Sequence, residues 1–129
     1  MKTRRDRKLV VVIDDDPLVL EATGGLLRSW GCQVVAAESC GEAMAKLAEI
    51  GQRPDLIVCD YRLPQGPTGI DAIEVLRGAF RIPALLISGD ASLSQPNDDA
   101  GAYRLLHKPV NAKAFRAVLV DASVLQPGD

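Results

Sequence analysis

With 129 residues, 47% of them hydrophobic and 25% charged, the chain has the length of one domain and an ordinary globular composition. A net charge of -2 and a pI near 5.4 supply no general electrostatic footprint for nucleic acid or an anionic membrane. No apolar run approaches the ~18 residues of a membrane span. Residues 1–8, Met1-Lys2-Thr3-Arg4-Arg5-Asp6-Arg7-Lys8, are basic and lead into a five-residue apolar run instead of a secretory core. They read as a basic leader or linker, and the expected location is cytoplasmic. Cys32, Cys40 and Cys59 are odd in number and lack metal-ligand spacing, so they are expected to be reduced and mostly buried.

Short β-rich apolar runs alternate with helical patterns, which argues for βα units and a parallel sheet covered on both faces. Strands are expected at about 9–14, 33–37, 55–60, 84–88 and 104–107. The first helix has a start signal in Asp16-Pro17 and a stop signal in Gly31. Gly24-Gly25 inside it cost roughly 1 kcal/mol each relative to alanine, so packing must hold it. The second begins at Ser39, whose spacing to Glu42 is that of a capping box, and is expected to bury Ala43, Met44, Leu47 and Ile50. A third covers about Ile70 to Phe80 on a stripe of Ile70, Ile73, Leu76 and Phe80. Between Ser88 and Gly101, a composition rich in Ser, Pro, Asn and Asp supports at most a short or frayed fourth helix. The last starts near Asn111 as N-cap and buries Phe115, Val118 and Leu119, and residues 124–129 read as a tail.

Chemistry gathers where the strands end. Leu9 to Ile13 runs into Asp14-Asp15-Asp16, and Leu56 to Cys59 runs into Asp60. Ala84 to Ile87 ends in Ser88, and Arg104 to His107 is followed by Lys108-Pro109. Strands that run the same way in an open parallel sheet emerge at one edge, where ligands bind. Carboxylates converging there need a cation, and a carboxylate cluster with one hydroxyl and one lysine suits a hard divalent metal and a phosphoryl group. Each member also has a plainer reading. Asp16 before Pro17 is better explained as an N-cap than as a ligand, Ser88 before Gly89 could be a turn, and Lys108 a surface charge.

Taken together, Val12-Ile13-Asp14-Asp15, Pro54-Asp55-Leu56-Ile57-Val58-Cys59-Asp60, Leu63-Pro64, Gly69, Leu86-Ile87-Ser88-Gly89, Gly101-Ala102 and Lys108-Pro109 resemble the receiver domain of two-component signalling. The resemblance spans about residues 9–120, and the receiver is expected over 9–123. Asp60-Tyr61-Arg62-Leu63-Pro64, Leu86 to Asp90 and Leu105 to Val110 look most like receivers at the C-terminus of bacterial hybrid sensor histidine kinases. The resemblance implies an α/β, flavodoxin-like fold with a five-stranded parallel sheet in order 2-1-3-4-5. It also implies that Asp60 accepts a phosphoryl group from a phosphohistidine, with Mg2+ held by Asp15 and Asp60 directly, by Asp14 mainly through water, and by the backbone carbonyl of Arg62. Ser88 would hydrogen-bond the phosphoryl group and Lys108 would neutralise one of its oxygens, with a cis bond to Pro109.

The chain departs from the family pattern at Leu105, where an aromatic switch residue often stands, and at Ser88, where threonine is commoner. His107 faces away from Lys108 on a regular strand and reads as a packed strand residue, not as a second phosphate carrier. Trp30 reads as a packing residue. The expected partner is a histidine kinase or a histidine phosphotransfer domain, with no nucleic acid, no membrane insertion of this chain and a monomer or weak dimer. No turnover is expected beyond self-phosphorylation and self-dephosphorylation. Two alternatives stand beside this reading: a magnesium-dependent phosphohydrolase with an aspartyl-phosphate intermediate, and a non-phosphorylated interaction module. The hydrolase would carry a second acid two residues after its nucleophile, where this chain has Arg62. An ion pair between Arg62 and Asp90 across the mouth of the site is a further expectation.

Overall fold

The computed structural model describes residues 8–60, 78, 82–89, 104–108, 110–122 and 124–125. Five strands, β1 (Leu9–Ile13), β2 (Gln33–Ala37), β3 (Leu56–Asp60), β4 (Ala84–Ser88) and β5 (Arg104–His107), form one parallel sheet in order β2-β1-β3-β4-β5. The helices α1 (Pro17–Ser29), α2 (Cys40–Ile50) and α3 (Ala112–Asp121) complete the described elements. The architecture is the flavodoxin-like α/β fold expected from the resemblance. Of the third expected helix only Gly78 is described, and it is helical.

Strand alternation divides the core into two layers. Val11, Ile13, Ile57, Cys59, Ala84 and Leu86 face the side that carries α2, where Ala43 and Leu47 meet them. Val10, Val12, Leu56, Val58 and Leu85 face the opposite side with Leu20 and Leu27 of α1 and Phe115, Val118 and Leu119 of α3. Each buried Val, Leu, Ile or Phe among them contributes roughly 1.5–3 kcal/mol through removal from water. The central strands β1 and β3 are buried at every position, whereas edge strand β5 is exposed at both ends.

Local signals explain the helix limits. The Asp16 carboxylate accepts from the Leu18 N–H at 2.9 Å, and Pro17 follows at N1, where its missing N–H costs nothing. At the other end the Gly31 N–H donates to the Arg28 carbonyl and the Cys32 N–H to the Leu27 carbonyl, with Gly31 at φ 92°. That is the pairing of a Schellman stop, and it requires a residue free to adopt positive φ. Gly24 is buried because α1 lies close on β2: an added Cβ would stand 3.2 Å from Nη1 of Arg28 and 3.6 Å from Cγ1 of Val34. Trp30 packs at a tilt against Phe115, with ring centroids 5.8 Å apart, and so joins the end of α1 to α3.

Two details of α2 differ from expectation. Ser39 caps Glu42 at 3.1 Å, but the Glu42 carboxylate accepts from the Glu38 N–H one residue before the cap, and this bond holds its pKa below the usual value. Ile50 is 47% exposed, not buried, because it is the last helical residue: it keeps the stripe of Ala43 and Leu47 but stands at the end of the helix. Met44 is only half-buried. The three cysteines form no disulfide, and Cys32 and Cys59 are buried. Burial in apolar surroundings pushes the Cys59 thiol well up, so it is an inert packing group.

At the amino edge of the sheet a reciprocal clasp joins β1 to the entry of β3. The Leu9 N–H donates to the Asp55 carboxylate at 2.8 Å, and the Asp55 N–H donates to the Leu9 carbonyl at 2.7 Å.

Candidate functional site

The core's alternation, carried one step past the strand ends, builds the site. Val12, Val58 and Leu106 belong to the layer under α1 and α3, so Asp14, Asp60 and Lys108, each two residues further on, fall on that same side at the carboxyl edge. The β1/β3 register pairs Val10 with Leu56 and Ile13 with Cys59, and continuing it sets Asp14 opposite Asp60. Ligand atoms of Asp14, Asp15 and Asp60 all lie within 4.8 Å of one another, a spacing at which one cation can be shared. Lys108 Nζ reaches Asp60 Oδ1 at 3.3 Å. The lysine backbone is itself anchored, since its N–H donates to the Ser88 carbonyl at 2.8 Å.

Burial differs across the group. Asp14 and Asp60 are buried, Asp15 is exposed and the Lys108 side chain is 42% exposed. Desolvation raises the pKa of Asp14 above the usual carboxylate value, and the Asp16 N–H that donates to its Oδ1 at 2.9 Å opposes this. Like charges on Asp60 and Asp15 add to the rise, while Lys108 works against it. Among the described residues the site therefore concentrates more negative charge than Lys108 offsets, and a divalent cation fits the deficit.

Ser88 is buried at the end of β4, on the strand that borders β3. A buried nucleophilic carboxylate flanked by a cation site, an ammonium and a neighbouring hydroxyl can attack an anionic phosphorus centre. Asp16 serves as the cap of α1, as its place before Pro17 implies. His107 is exposed, not packed, because β5 is an edge strand and the histidine stands at its end. Leu105 is half-buried against the layer on the α2 side. Arg62, Asp90, Tyr103, Pro109 and, apart from Gly89, the loop-like stretch from 89 to 100 lie outside the described residues. The Arg62 carbonyl ligand, the cis bond to Pro109 and the Arg62 to Asp90 pair therefore lie outside them as well.

Two contributors to the site's geometry escape a reading of sequence. Asp55 looks like a strand-start residue, and only its reciprocal clasp with Leu9 reveals that it aligns β1 with β3. Gly89 lies beside the stem of Lys108, where an added Cβ would stand 4.0 Å from Cδ. The adjacent Ser88-Gly89 pair was the available signal.

Comparison with known proteins gives a consistent result. The response regulator receiver domain family matches residues 10–120. The chain is 36% identical over 113 residues to the transcriptional regulatory protein KdpE of Mycobacterium tuberculosis, covering 86% of this chain and 49% of that one. It is 36% identical over 109 residues to the transcriptional regulatory protein AruR of Pseudomonas aeruginosa, covering 81% and 44% respectively. The chain thus spans about half the length of these relatives. Among solved structures, a CheY-like response regulator receiver domain protein from Methanospirillum hungatei superposes with a TM-score of 0.75 at 27% identity, over 89% of this chain and 92% of that one. The chemotaxis protein CheY4 of Vibrio cholerae shares the fold with a TM-score of 0.75 at 23% identity, over 90% and 98%. With the strand order, the carboxylates at the sheet edge and a family match over most of its length, the chain belongs to the response regulator receiver domain family.

Proposed function

We propose that this receiver takes part in a phosphorelay by accepting a phosphoryl group from a phosphohistidine onto Asp60 in a magnesium-dependent reaction. The observation that carries the reading is the buried Asp60 carboxylate, paired to Lys108 at 3.3 Å and clustered with Asp14 and Asp15. Attack of a carboxylate on a phosphoryl group brings two anions together, so the barrier falls when positive charge is already in place. Lys108 supplies one such charge directly beside the nucleophile. The all-oxygen donor set of Asp14, Asp15 and Asp60 fits magnesium, which prefers carboxylates and retained waters. Bound there, magnesium would balance the charge that develops on the transferring oxygens.

Each residue then has a defined task. One oxygen of Asp60 forms the bond to phosphorus as the donor's imidazole nitrogen leaves. Lys108 moves from the carboxylate to a phosphoryl oxygen, a small displacement for a flexible, half-exposed stem. Asp60 and Asp15, the latter exposed at the rim, would hold the cation directly, and buried Asp14 would act on it mainly through water. The Ser88 hydroxyl donates to the phosphoryl group. The donor would be a histidine kinase or histidine phosphotransfer domain. The stretches Asp60 to Pro64, Leu86 to Asp90 and Leu105 to Val110 support an origin as the receiver of a hybrid kinase.

Incubation with acetyl phosphate and magnesium is expected to add one phosphoryl group, mapped to Asp60, and Asp60→Asn is expected to remove the labelling. Intact-mass spectra showing equal labelling of the variant would overturn the assignment.

A further inference from the structure

Among the described residues the sheet ends at β2 on one side and at β5 on the other, and the two edges differ in charge. β5 begins with Arg104, which pairs with Asp121 of α3 at 3.4 Å, and ends with His107. β2 reads Gln33-Val34-Val35-Ala36-Ala37, with no charged residue and no proline. An edge of this composition is a template for another strand.

Register decides which backbone groups face that edge. The Gln33 N–H donates to the Lys8 carbonyl, and the Ala37 carbonyl accepts from the Asp14 N–H, so residues 33, 35 and 37 turn their backbone polar groups toward β1. Those of Val34 and Ala36, and the N–H of Glu38, consequently point outward. α2 reaches over this row. Lys46 Nζ donates to the Ala36 carbonyl at 2.7 Å, and the Glu38 N–H donates to Glu42 Oε1 at 2.8 Å. Lys46 Nζ also stands 3.3 Å from Glu42 Oε2, so one turn of helix links Ala36 to Glu38 along the edge.

We propose that Glu42 and Lys46 act as a guard that keeps β2 from pairing antiparallel with the β2 of a second copy of this chain. A second copy is the fitting partner because the edge is self-complementary. With a two-fold axis at Val35, Val34 of each copy stands opposite Ala36 of the other, and the outward N–H and C=O groups of both meet. Lys46 occupies the Ala36 carbonyl that such a ladder needs and lays its charged head in the path of the incoming strand. The Glu42 carboxylate holds that head in place and takes up the Glu38 N–H as well. β5 carries charge in its own sequence, whereas β2 borrows it from the helix that follows. The guard acts independently of phosphoryl transfer to Asp60.

Sedimentation of the whole chain over a range of concentrations, joined to amide hydrogen exchange, tests the guard. Lys46→Met keeps the stem of a half-exposed side chain and removes the donor. It is expected to self-associate about tenfold more tightly than the parent, with the Val34 and Ala36 amides gaining protection as concentration rises. Lys46→Arg, which keeps donor and charge, is expected to behave as the parent. So is Lys113→Met, the same substitution at an exposed position of α3. Glu42→Gln keeps an acceptor for the Glu38 N–H but loses the ion pair, and is expected to fall between the parent and Lys46→Met. Self-association of Lys46→Met no tighter than that of the parent or of Lys113→Met would overturn the proposal. So would tighter association that leaves the Val34 and Ala36 amides unprotected, which would place the contact on another face. Loss of folding in Lys46→Met would overturn it too, by making Lys46 a structural support instead of a guard.

Discussion

The two sources of charge in the site come from strands of opposite character. Asp14 follows β1 and Asp60 ends β3, two strands buried at every position, while Lys108 follows β5, an edge strand exposed at both ends. The buried carboxylates proposed to share one cation are thus held by the most completely buried part of the sheet. The ammonium proposed to move between two anions is carried by a more exposed part. Rigidity is distributed according to task, because preorganised oxygens lower the cost of gathering like charges and a mobile ammonium can follow the charge as it forms.

The largest test of this contrast is a matched pair of core truncations. Ile57→Ala in β3 is expected to cost about 2–5 kcal/mol in urea unfolding, and Leu106→Ala in β5, being half-buried, less than half as much. Equal losses would mean that the edge strand is as firmly held as the centre.

Metal affinity sharpens the comparison next. Asp15→Asn removes an anionic oxygen from the cluster and is expected to weaken magnesium about tenfold or more. Asp16→Asn retains the cap of α1 and should stay within about threefold. Reversal of that order in a titration would place the metal ligands one residue out of register.

A smaller effect follows from the burial of Asp14. Its folded pKa lies above 3.8, so between that value and the raised one the native state binds more protons than the unfolded chain, and stability falls as pH rises through the window. Removing the charge relieves this cost. Metal-free Asp14→Asn is expected to melt about 2–5 °C higher than the parent at pH 7, with the gain fading as pH drops toward 3.8. A gain that persists unchanged in acid would assign the effect to packing.

The smallest stability change belongs to Lys108. Its half-exposed ion pair is worth only ~0–1 kcal/mol, so Lys108→Ala should unfold almost as the parent does while labelling of Asp60 slows markedly. A variant that loses stability but keeps the labelling rate would reverse the roles assigned to the two strands.

How far the sequence alone leads is visible in these same elements. The strands are legible because apolar runs such as Leu9 to Ile13 end abruptly in carboxylates, and the caps at Asp16, Ser39 and Asn111 because each acts through contacts within one turn. Strand order came from resemblance to a family, since five similar apolar runs do not state which neighbours they choose. The exposure of His107 was missed because Leu105 and Leu106 look like a buried strand, and only the sheet's order makes β5 an edge. Ile50 was misread because helical periodicity says nothing of where the supporting sheet stops beneath it. The residues that meet at the site were legible as a set, but the contact of Lys108 with Asp60 depends on a pairing between strands far apart in the chain.

The clasp between Leu9 and Asp55 gives this edge a kind of ruler. Asp14 lies five residues beyond Leu9 and Asp60 five residues beyond Asp55, so both carboxylates are carried the same distance, about 17 Å, from a common starting mark. A slip of one residue between the two strands would offset that mark and turn one acid toward the α2 side of the sheet. The alignment of Asp14 with Asp60 is thus decided at the opposite end of the sheet, where a carboxylate outside the acidic cluster keeps two arms of equal length in step.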